Sequence, residues 1–293
     1  MRAKFDRRSF LSLAAAAAVP PVSAMAPDAR RVRLALNVYS FNKPLRDGAI
    51  TLPDVVDFCA RHRIDALDAT GYYFPGYPAA PPDDYIYNLK RKAFLNGIQI
   101  HGTGVRNDFA APDPASRAAD VRMVKDWIEV AAKLGASVIR VFSGPNVPDG
   151  HSFDQVLQWM VRDLQECIAH GRRYGIMVGL QHHNDFLKTA DQTIRLVKAV
   201  DSEWFGVILD VGSLRQGDPY EEIRKLVPYA VSWQLKETVW YGGKETPIDL
   251  ARLKAIIDSS GYRGFLPIET LGGGDPRTRV AGFLGEVRKI FPA

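Results

Sequence analysis

The sequence predicts an α/β protein with a single (β/α)₈ TIM barrel. Apolar strand-like runs alternate with amphipathic helical segments eight times, an order typical of parallel strands joined by right-handed crossovers. Polar residues end the last four predicted strands at intervals of 29, 24 and 35 residues, which is the length of a βα unit. These residues are Gln181, Asp210, Gln234 and Glu269. No linker or low-complexity segment indicates a second domain.

Eight short apolar runs bounded by turn residues are predicted as the strands. They span residues 33–39, 66–69, 99–103, 138–142, 177–181, 207–210, 231–235 and 266–269. The helices between them carry start and stop signals, such as a side chain that caps the first turn or a glycine after the last. The signals are Asp113-Pro114 and Gly135 at the two ends of the third helix, Thr189 with Gln192 as a capping box before the fifth, Asp218-Pro219 before the sixth, and Gly261 after the seventh.

The first 26 residues are predicted to be a leader that is not part of the barrel. Arg7 and Arg8 form a twin-arginine pattern, residues 11–19 are apolar, and residues 24–26 fit a small-x-small cleavage site. A membrane anchor needs about 20 apolar residues, and Pro20-Pro21 interrupts this run too early. We therefore expect export by the twin-arginine route, to the periplasm or as a secreted protein, with the barrel in residues 27–293.

The basic character of the full chain belongs to the leader. The chain has a net charge of +5 and an isoelectric point near 9.1, but 34 basic and 32 acidic residues remain without the leader. A balance of +2 argues against nucleic acid as a partner, and no later stretch is apolar enough to span a membrane. Cys59 and Cys167 lie on predicted helices far apart around the barrel, so we expect two buried, unpaired thiols.

The four strand-end residues predict a metal site. The carboxyl ends of the strands of a (β/α)₈ barrel converge on one open face, where the chemistry of such proteins takes place. Oxygen donors that meet there would hold one divalent ion. The predicted ligands are Gln181, Asp210, Gln234 and Glu269.

Five segments of the chain resemble the xylose isomerase-like TIM-barrel superfamily, the sugar phosphate isomerase/epimerase group. They are residues 134–142, 179–183, 209–212, 234–237 and 264–269. The resemblance implies one divalent ion held by Glu, Asp, His and Glu from strands five to eight. Asp210 and Glu269 match that pattern. Gln181 stands in place of the first Glu, and Gln234 stands in place of the His.

The two glutamines alter the chemistry that the resemblance implies. An amide oxygen can coordinate a metal but cannot accept a proton, so Gln181 disfavours the two-glutamate proton shuttle of the family's epimerases. A ligand set with two carboxylates and no nitrogen donor favours Mn²⁺ or Mg²⁺, with Ca²⁺ as an alternative, over Zn²⁺. A one-base reaction is then expected, and isomerisation, β-elimination and hydrolysis by metal-bound water stay open.

Further residues are candidates for catalysis and for substrate binding. Glu269 is the predicted proton-transfer carboxylate. Residues i and i+2 share one side of a strand, so His183 and Lys236, each two residues beyond a predicted ligand, face the same way and could assist it. The predicted walls of the substrate pocket come from the first four strands and their loops: Tyr39, Tyr72, Tyr73, His101, Arg106 and Arg140.

The leading interpretation is an exported, metal-dependent enzyme that acts on a carbohydrate or polyol through a metal-stabilised enediolate. The alternatives are a lyase or dehydratase on the same site, and a catalytically silent barrel that binds sugar. A DNA-repair endonuclease of this barrel type would need a histidine-rich zinc site, which six scattered histidines do not provide. Residues 272–274 are three glycines where many barrels bind phosphate, but a flexible turn is the preferred interpretation. The sequence leaves the substrate and the oligomeric state open.

Overall fold

The structure, a computed structural model, describes residues 32–292, and the predicted leader lies outside this range. Eight parallel strands form a closed barrel with helices between them, so the predicted (β/α)₈ architecture is confirmed. The barrel strands are β1 (Arg33–Asn37), β2 (Ala66–Thr70), β3 (Gln99–Gly104), β4 (Val138–Phe142), β5 (Met177–Gln181), β6 (Phe205–Asp210), β7 (Ala230–Lys236) and β10 (Phe265–Glu269).

The strand order and register determine which side chains meet at the barrel mouth. Around the barrel the strands follow the order β1-β10-β7-β6-β5-β4-β3-β2. Asp210 of β6 is the register partner of Gln234 in β7, and Lys236 of β7 is the partner of Glu269 in β10. Because β6, β7 and β10 are neighbours, the polar side chains at their carboxyl ends share one side of the mouth.

Each predicted strand coincides with an observed one to within two residues at either end. The main difference lies in β1. Tyr39 was expected in the first strand, but it lies in a 3₁₀ turn, because Asn37 accepts the Tyr39 backbone N–H at 2.8 Å and turns the chain. β3 extends one residue beyond the prediction, to Gly104, and His101 is its third residue.

The helices begin and end largely where the cap signals predict. Asp113 caps the first turn of the third predicted helix, and Gly135 ends it with a φ of 79°. Thr189 accepts the Gln192 N–H, but the Gln192 side chain accepts from Lys188, so the predicted capping box is only half formed. The helices are α1 (Asn42–Arg46), α2 (Leu52–Arg61), α3 (Asp83–Leu95), α4 (Pro114–Leu134), α5 (Phe153–Tyr174), α6 (Ala190–Val200), α7 (Pro219–Leu226), α8 (Leu250–Ser260) and α9 (Pro276–Ile290).

An antiparallel hairpin that the sequence analysis did not predict follows β7. Its strands are β8 (Thr238–Tyr241) and β9 (Lys244–Pro247). Gly242 and Gly243 join them with φ values of 60° and 79°, the left-handed pair that a tight two-residue hairpin turn requires. The hairpin brings Trp240 to the barrel mouth.

The hydrophobic core fills the barrel and the space between its strands and the helices. Trp127 and Trp233 are the largest fully buried side chains, and burial of each large apolar side chain contributes about 1.5–3 kcal/mol. Cys59 and Cys167 are buried and unpaired, as expected. Within residues 32–292, no helix combines the length and the apolar character needed to cross a membrane.

Candidate functional site

A cavity of about 800 Å³ opens at the carboxyl ends of the barrel strands. A volume of this size accommodates a small organic ligand. Its wall combines uncharged, cationic and anionic side chains from strands on both sides of the barrel. Most of the predicted site residues line it: Tyr39, Tyr72, Arg106, Arg140, Gln181, His183, Gln234, Lys236 and Glu269.

Asp210 lies beneath the floor of the cavity and is fully buried. Its Oδ2 accepts hydrogen bonds from Gln181 Nε2, Lys236 Nζ and Ser213 Oγ, each at 2.8 Å. Its Oδ1 accepts the Gly212 backbone N–H at 3.1 Å. Three donors exceed the two lone pairs of Oδ2, while Oδ1 receives one donor. Oδ2 therefore has no unused lone pair, and Oδ1 keeps one.

Lys236 lies between the two carboxylates of the site. Its Nζ is 2.8 Å from Asp210 Oδ2 and 3.6 Å from Glu269 Oε1, and the residue is only 7% exposed. The aliphatic stem passes directly over Gly212, where a Cβ atom would lie 2.7 Å from Lys236 Cδ. The absence of a side chain at Gly212 thus allows the lysine to reach back from the end of β7 to Asp210.

These contacts shift the pKa values of the three buried charged groups. Burial alone would raise the pKa of Asp210, but the Lys236 ammonium outweighs it and lowers the value to about 2. Burial favours the neutral amine of Lys236, yet Asp210 and Glu269 together raise its pKa above the ordinary value. Burial raises the pKa of Glu269 despite the attraction of Lys236. The site therefore holds a stable ion pair beside a carboxylate that can exchange a proton.

The two glutamines present different groups to the site. Gln181 is buried and uses its amide Nε2 as a donor to Asp210. Gln234 is also buried, and its Oε1 makes no hydrogen bond within the described part of the chain. A buried carbonyl oxygen without a donor is costly, and Gln234 is one of the residues that line the cavity.

The observed contacts do not fit a resident divalent ion held by the four predicted ligands. The acceptor sites of Asp210 Oδ2 are filled, and the Lys236 ammonium lies where a cation shared by Asp210 and Glu269 would have to be. Of the predicted ligands, Gln181 donates to Asp210 through its amide nitrogen, and Asp210 and Glu269 flank an ammonium group.

A second cationic group forms the opposite side of the cavity. Arg140 donates to the Tyr72 hydroxyl at 2.9 Å and to the Val105 carbonyl at 3.1 Å, and it lies over the Phe142 ring at 4.3 Å. Burial raises the pKa of Asp68 to about 6, and the nearby Arg140 guanidinium keeps it from rising further. Arg140 and Tyr72 are therefore fixed donors on this wall.

The two histidines that follow β5 have different environments. His183 faces the cavity edge-on to Phe142, and partial burial lowers its pKa against the attraction of Asp210. His182 is buried, and its Nε2 accepts the Asp210 backbone N–H at 3.2 Å. Burial lowers the pKa of His182 to about 4, which keeps the imidazole neutral as this acceptor role requires. His182 therefore positions the backbone of Asp210.

Two predicted substrate-binding residues do not line the cavity. His101 stacks on Phe265, the first residue of β10, with ring centroids 4.8 Å apart, which places it at the amino end of the barrel. His101 lies three residues before the end of β3 and against Phe265, so the structure does not bring it to the site. Tyr73 was also predicted as a wall residue, but its hydroxyl donates to Asn42 at 3.0 Å and the ring packs against the core.

Several residues of the site were not among the sequence candidates. Asn37 and Thr70 end β1 and β2 in the cavity wall, and the strand-end signal used for the later strands could have found them. Ser213 is tied to Asp210 through a turn that has no simple sequence signature. Trp240 lies on the unpredicted hairpin, with the Arg215 guanidinium 5.1 Å from the centroid of its ring.

Comparison with known proteins defines the family. Residues 56–284 match the family described as xylose isomerase-like TIM barrel, and the chain belongs to this family. No curated protein gave a match.

Solved structures with the same fold include three informative neighbours. D-psicose 3-epimerase from Clostridium cellulolyticum, with D-tagatose, has a TM-score of 0.74 and 17% identity over 89% of this chain and 100% of that chain. The 3-keto-D-glucoside 4-epimerase of E. coli has a TM-score of 0.69 and 13% identity over 82% of this chain and 94% of that chain. The IOLI protein with a zinc atom has a TM-score of 0.73 and 16% identity over 89% of this chain and 100% of that chain. At these identities the likeness shows the fold.

Proposed function

We propose that this protein is an isomerase- or epimerase-like enzyme that moves a proton next to the carbonyl group of a small keto sugar or related polyol derivative. The observation that carries the proposal is Glu269, a buried carboxylate with a raised pKa that lines the cavity 3.6 Å from the Lys236 ammonium. Family membership and the sugar epimerases among the structural neighbours support it.

The mechanism uses three fixed groups of the chain. The substrate carbonyl oxygen accepts a hydrogen bond from Lys236, and a neighbouring hydroxyl donates to the free Oε1 of Gln234. Glu269 removes the proton from the carbon next to the carbonyl, and the electron pair of that C–H bond forms the enediolate. The ammonium stabilises the negative charge that develops on oxygen. Glu269 then returns the proton to the former carbonyl carbon, and the neighbouring hydroxyl passes its proton to the former carbonyl oxygen, which completes an isomerisation.

Epimerisation requires a second group that returns the proton from the opposite face of the substrate. Gln181 cannot do this because an amide has no basic site at neutral pH. His183, which lines the cavity and has a lowered pKa, is the available second base. A one-base isomerisation remains the first proposal, and epimerisation would depend on His183.

Elimination of water is the second candidate reaction. The Tyr72 hydroxyl accepts a hydrogen bond from Arg140 at 2.9 Å and donates only a long one, of 3.5 Å, to the Val105 carbonyl, so its proton could turn to a leaving hydroxyl group. With Glu269 as the base, the same enediolate would lose that group and the product would be a deoxy keto sugar. This observation favours a lyase as the alternative.

Two expectations from the sequence stay proposals. We propose export through the leader in residues 1–26, with action outside the cytoplasm. A single Mn²⁺ or Mg²⁺ ion is the alternative source of positive charge at the site, and it would require Lys236 to leave Asp210.

Deuterium exchange tests the proposed reaction directly. A panel of keto sugars is incubated with the protein in D₂O, and proton NMR follows the loss of signal at the carbon next to the carbonyl. We expect exchange for at least one sugar, and a drop of about 10²–10⁴-fold in Glu269→Gln. Glu286→Gln, on the surface of α9, serves as the control and should exchange normally. Exchange in no sugar, or equal exchange in Glu269→Gln, would overturn the proposal.

A further inference from the structure

We propose that the Lys236 ammonium is the resident cation of this site, in place of a divalent metal ion. Its catalytic role, as the group that polarises the substrate carbonyl, rests on the proposed function. Its occupation of the cation position does not, because that claim concerns binding alone. Four features of the described residues support the assignment.

The first feature is the position of the ammonium. Nζ of Lys236 lies within hydrogen-bond distance of Asp210 and 3.6 Å from Glu269, the two carboxylates of the strand-end set. A divalent ion bound to both carboxylates would be in direct contact with this ammonium. Like charges so close in a buried site repel strongly, so the ion and the ammonium exclude each other.

The second feature is the saturation of Asp210 Oδ2. Gln181, Ser213 and Lys236 all donate to this oxygen, and the Gly212 backbone N–H donates to Oδ1. A metal ligand needs a free lone pair directed at the ion. Oδ2, the oxygen that meets Lys236, would have to give up hydrogen bonds before it could coordinate a metal.

The third feature is that the chain is shaped around the lysine. Gly212 lies two residues beyond Asp210, and Lys236 lies two residues beyond Gln234, the register partner of Asp210. The lysine stem consequently crosses Gly212, where any side chain would meet Lys236 Cδ at 2.7 Å. The register of β7 against β10 sets Lys236 beside Glu269. Backbone register and a missing Cβ together fix the path of the side chain.

The fourth feature is the free acceptor of Gln234. Its buried Oε1 has no donor in the described residues, and the residue lines the cavity together with Lys236. A donor and an acceptor on the same wall suit adjacent oxygens of an α-hydroxy ketone, one a carbonyl and one a hydroxyl. The site thus provides, from side chains alone, the two contacts that orient such a substrate.

Metal binding measured without any activity assay tests the inference. Wild-type protein, purified with and without chelator, is titrated with Mn²⁺ while electron paramagnetic resonance follows the free ion. The same titration is run on Lys236→Met, which keeps the stem over Gly212, and on Lys236→Ala. Lys244→Ala, an exposed lysine of β9, is the matched control. Circular dichroism and thermal melting show that each variant is folded before it is titrated.

We expect no stoichiometric Mn²⁺ in the wild type or in Lys244→Ala, and an affinity at least about tenfold higher in Lys236→Met or Lys236→Ala. One Mn²⁺ per wild-type chain, with equal or weaker binding in both Lys236 variants, would overturn the inference. Wild-type affinity matched by every variant would overturn it as well. If only one Lys236 variant folds, that variant decides.

Combination with deuterium exchange separates this inference from the proposed function. Exchange that persists in the presence of a chelator supports both. Metal-free wild type, with tighter Mn²⁺ binding in the Lys236 variants but no exchange in any sugar, keeps the inference and removes the proposed function. Exchange that requires added Mn²⁺ keeps the function and removes the inference.

Discussion

Replacement of Asp210 by Asn should destabilise the fold far more than removal of a surface carboxylate. Asp210 is fully buried, and its pKa is lowered from 3.8 to about 2. A shift of this size corresponds to about 2–3 kcal/mol of stability at neutral pH. Asp210→Asn also leaves the Lys236 ammonium buried with Glu269 alone at 3.6 Å, and breaking a buried pair costs about 3–5 kcal/mol. We expect a loss of about 3 kcal/mol.

Urea unfolding followed by circular dichroism measures this loss. Asp57→Asn is the control, because Asp57 pairs with Lys92 on the partly exposed surface, where such pairs contribute less than about 1 kcal/mol. The lowered pKa means that the contribution of Asp210 is present above pH 3.8 and disappears as the pH falls toward about 2. The difference between wild type and Asp210→Asn should shrink in that window. An Asp210→Asn cost equal to that of Asp57→Asn, with the same pH dependence as wild type, would refute the reasoning.

Three further predictions concern the site. Gly212→Ala should cost about 1–3 kcal/mol of stability and lower kcat/KM, because the new Cβ displaces Lys236. The control Gly273→Ala, whose Cβ meets no neighbour, should change neither quantity. Equal urea midpoints for Gly212→Ala and Gly273→Ala would contradict this. The pH profile of kcat/KM should lose activity as the pH falls through a Glu269 pKa raised above 4.5; a midpoint below 4.5 would argue against Glu269 as the base. Trp240→Ala should raise KM up to about tenfold with kcat nearly unchanged, and steady-state kinetics with an unaltered KM would exclude the hairpin from substrate binding.

The barrel could be predicted because its signals are local and repeated. Strand runs such as residues 177–181, and caps such as Asp113 and Gly135, depend on neighbouring residues alone and match the structure. The hairpin after β7 was missed because each of its strands has only four residues and β9 is polar, and its one strong turn signal, Gly242-Gly243, was not used.

The composition of the site could be predicted, but its internal contacts could not. The i, i+2 alternation placed Lys236 on the inner face beyond Gln234, and the structure has it there. The sequence does not show that the lysine stem crosses Gly212 and ends on Asp210, because that depends on the register between β6 and β7 and on a rotamer. The sequence therefore predicts a metal ion at the place where the structure has the Lys236 ammonium, and only the three-dimensional contacts reveal this difference.

Corrections at the edges of the site have the same origin. His101 was assigned to the mouth as a strand-end residue, yet three residues of β3 follow it. Because a strand rises about 3.3 Å per residue, these three residues place His101 well below the barrel mouth. The twin-arginine leader lies outside residues 32–292 and stays a prediction.

A crystal structure of the wild-type protein grown with Mn²⁺, with data collected at the manganese absorption edge, tests the central claim most directly. We predict no anomalous peak among Gln181, Asp210, Gln234 and Glu269, and Lys236 Nζ within hydrogen-bond distance of Asp210. A full-occupancy manganese peak bound by these four residues, with Lys236 turned away from Asp210, would contradict the account.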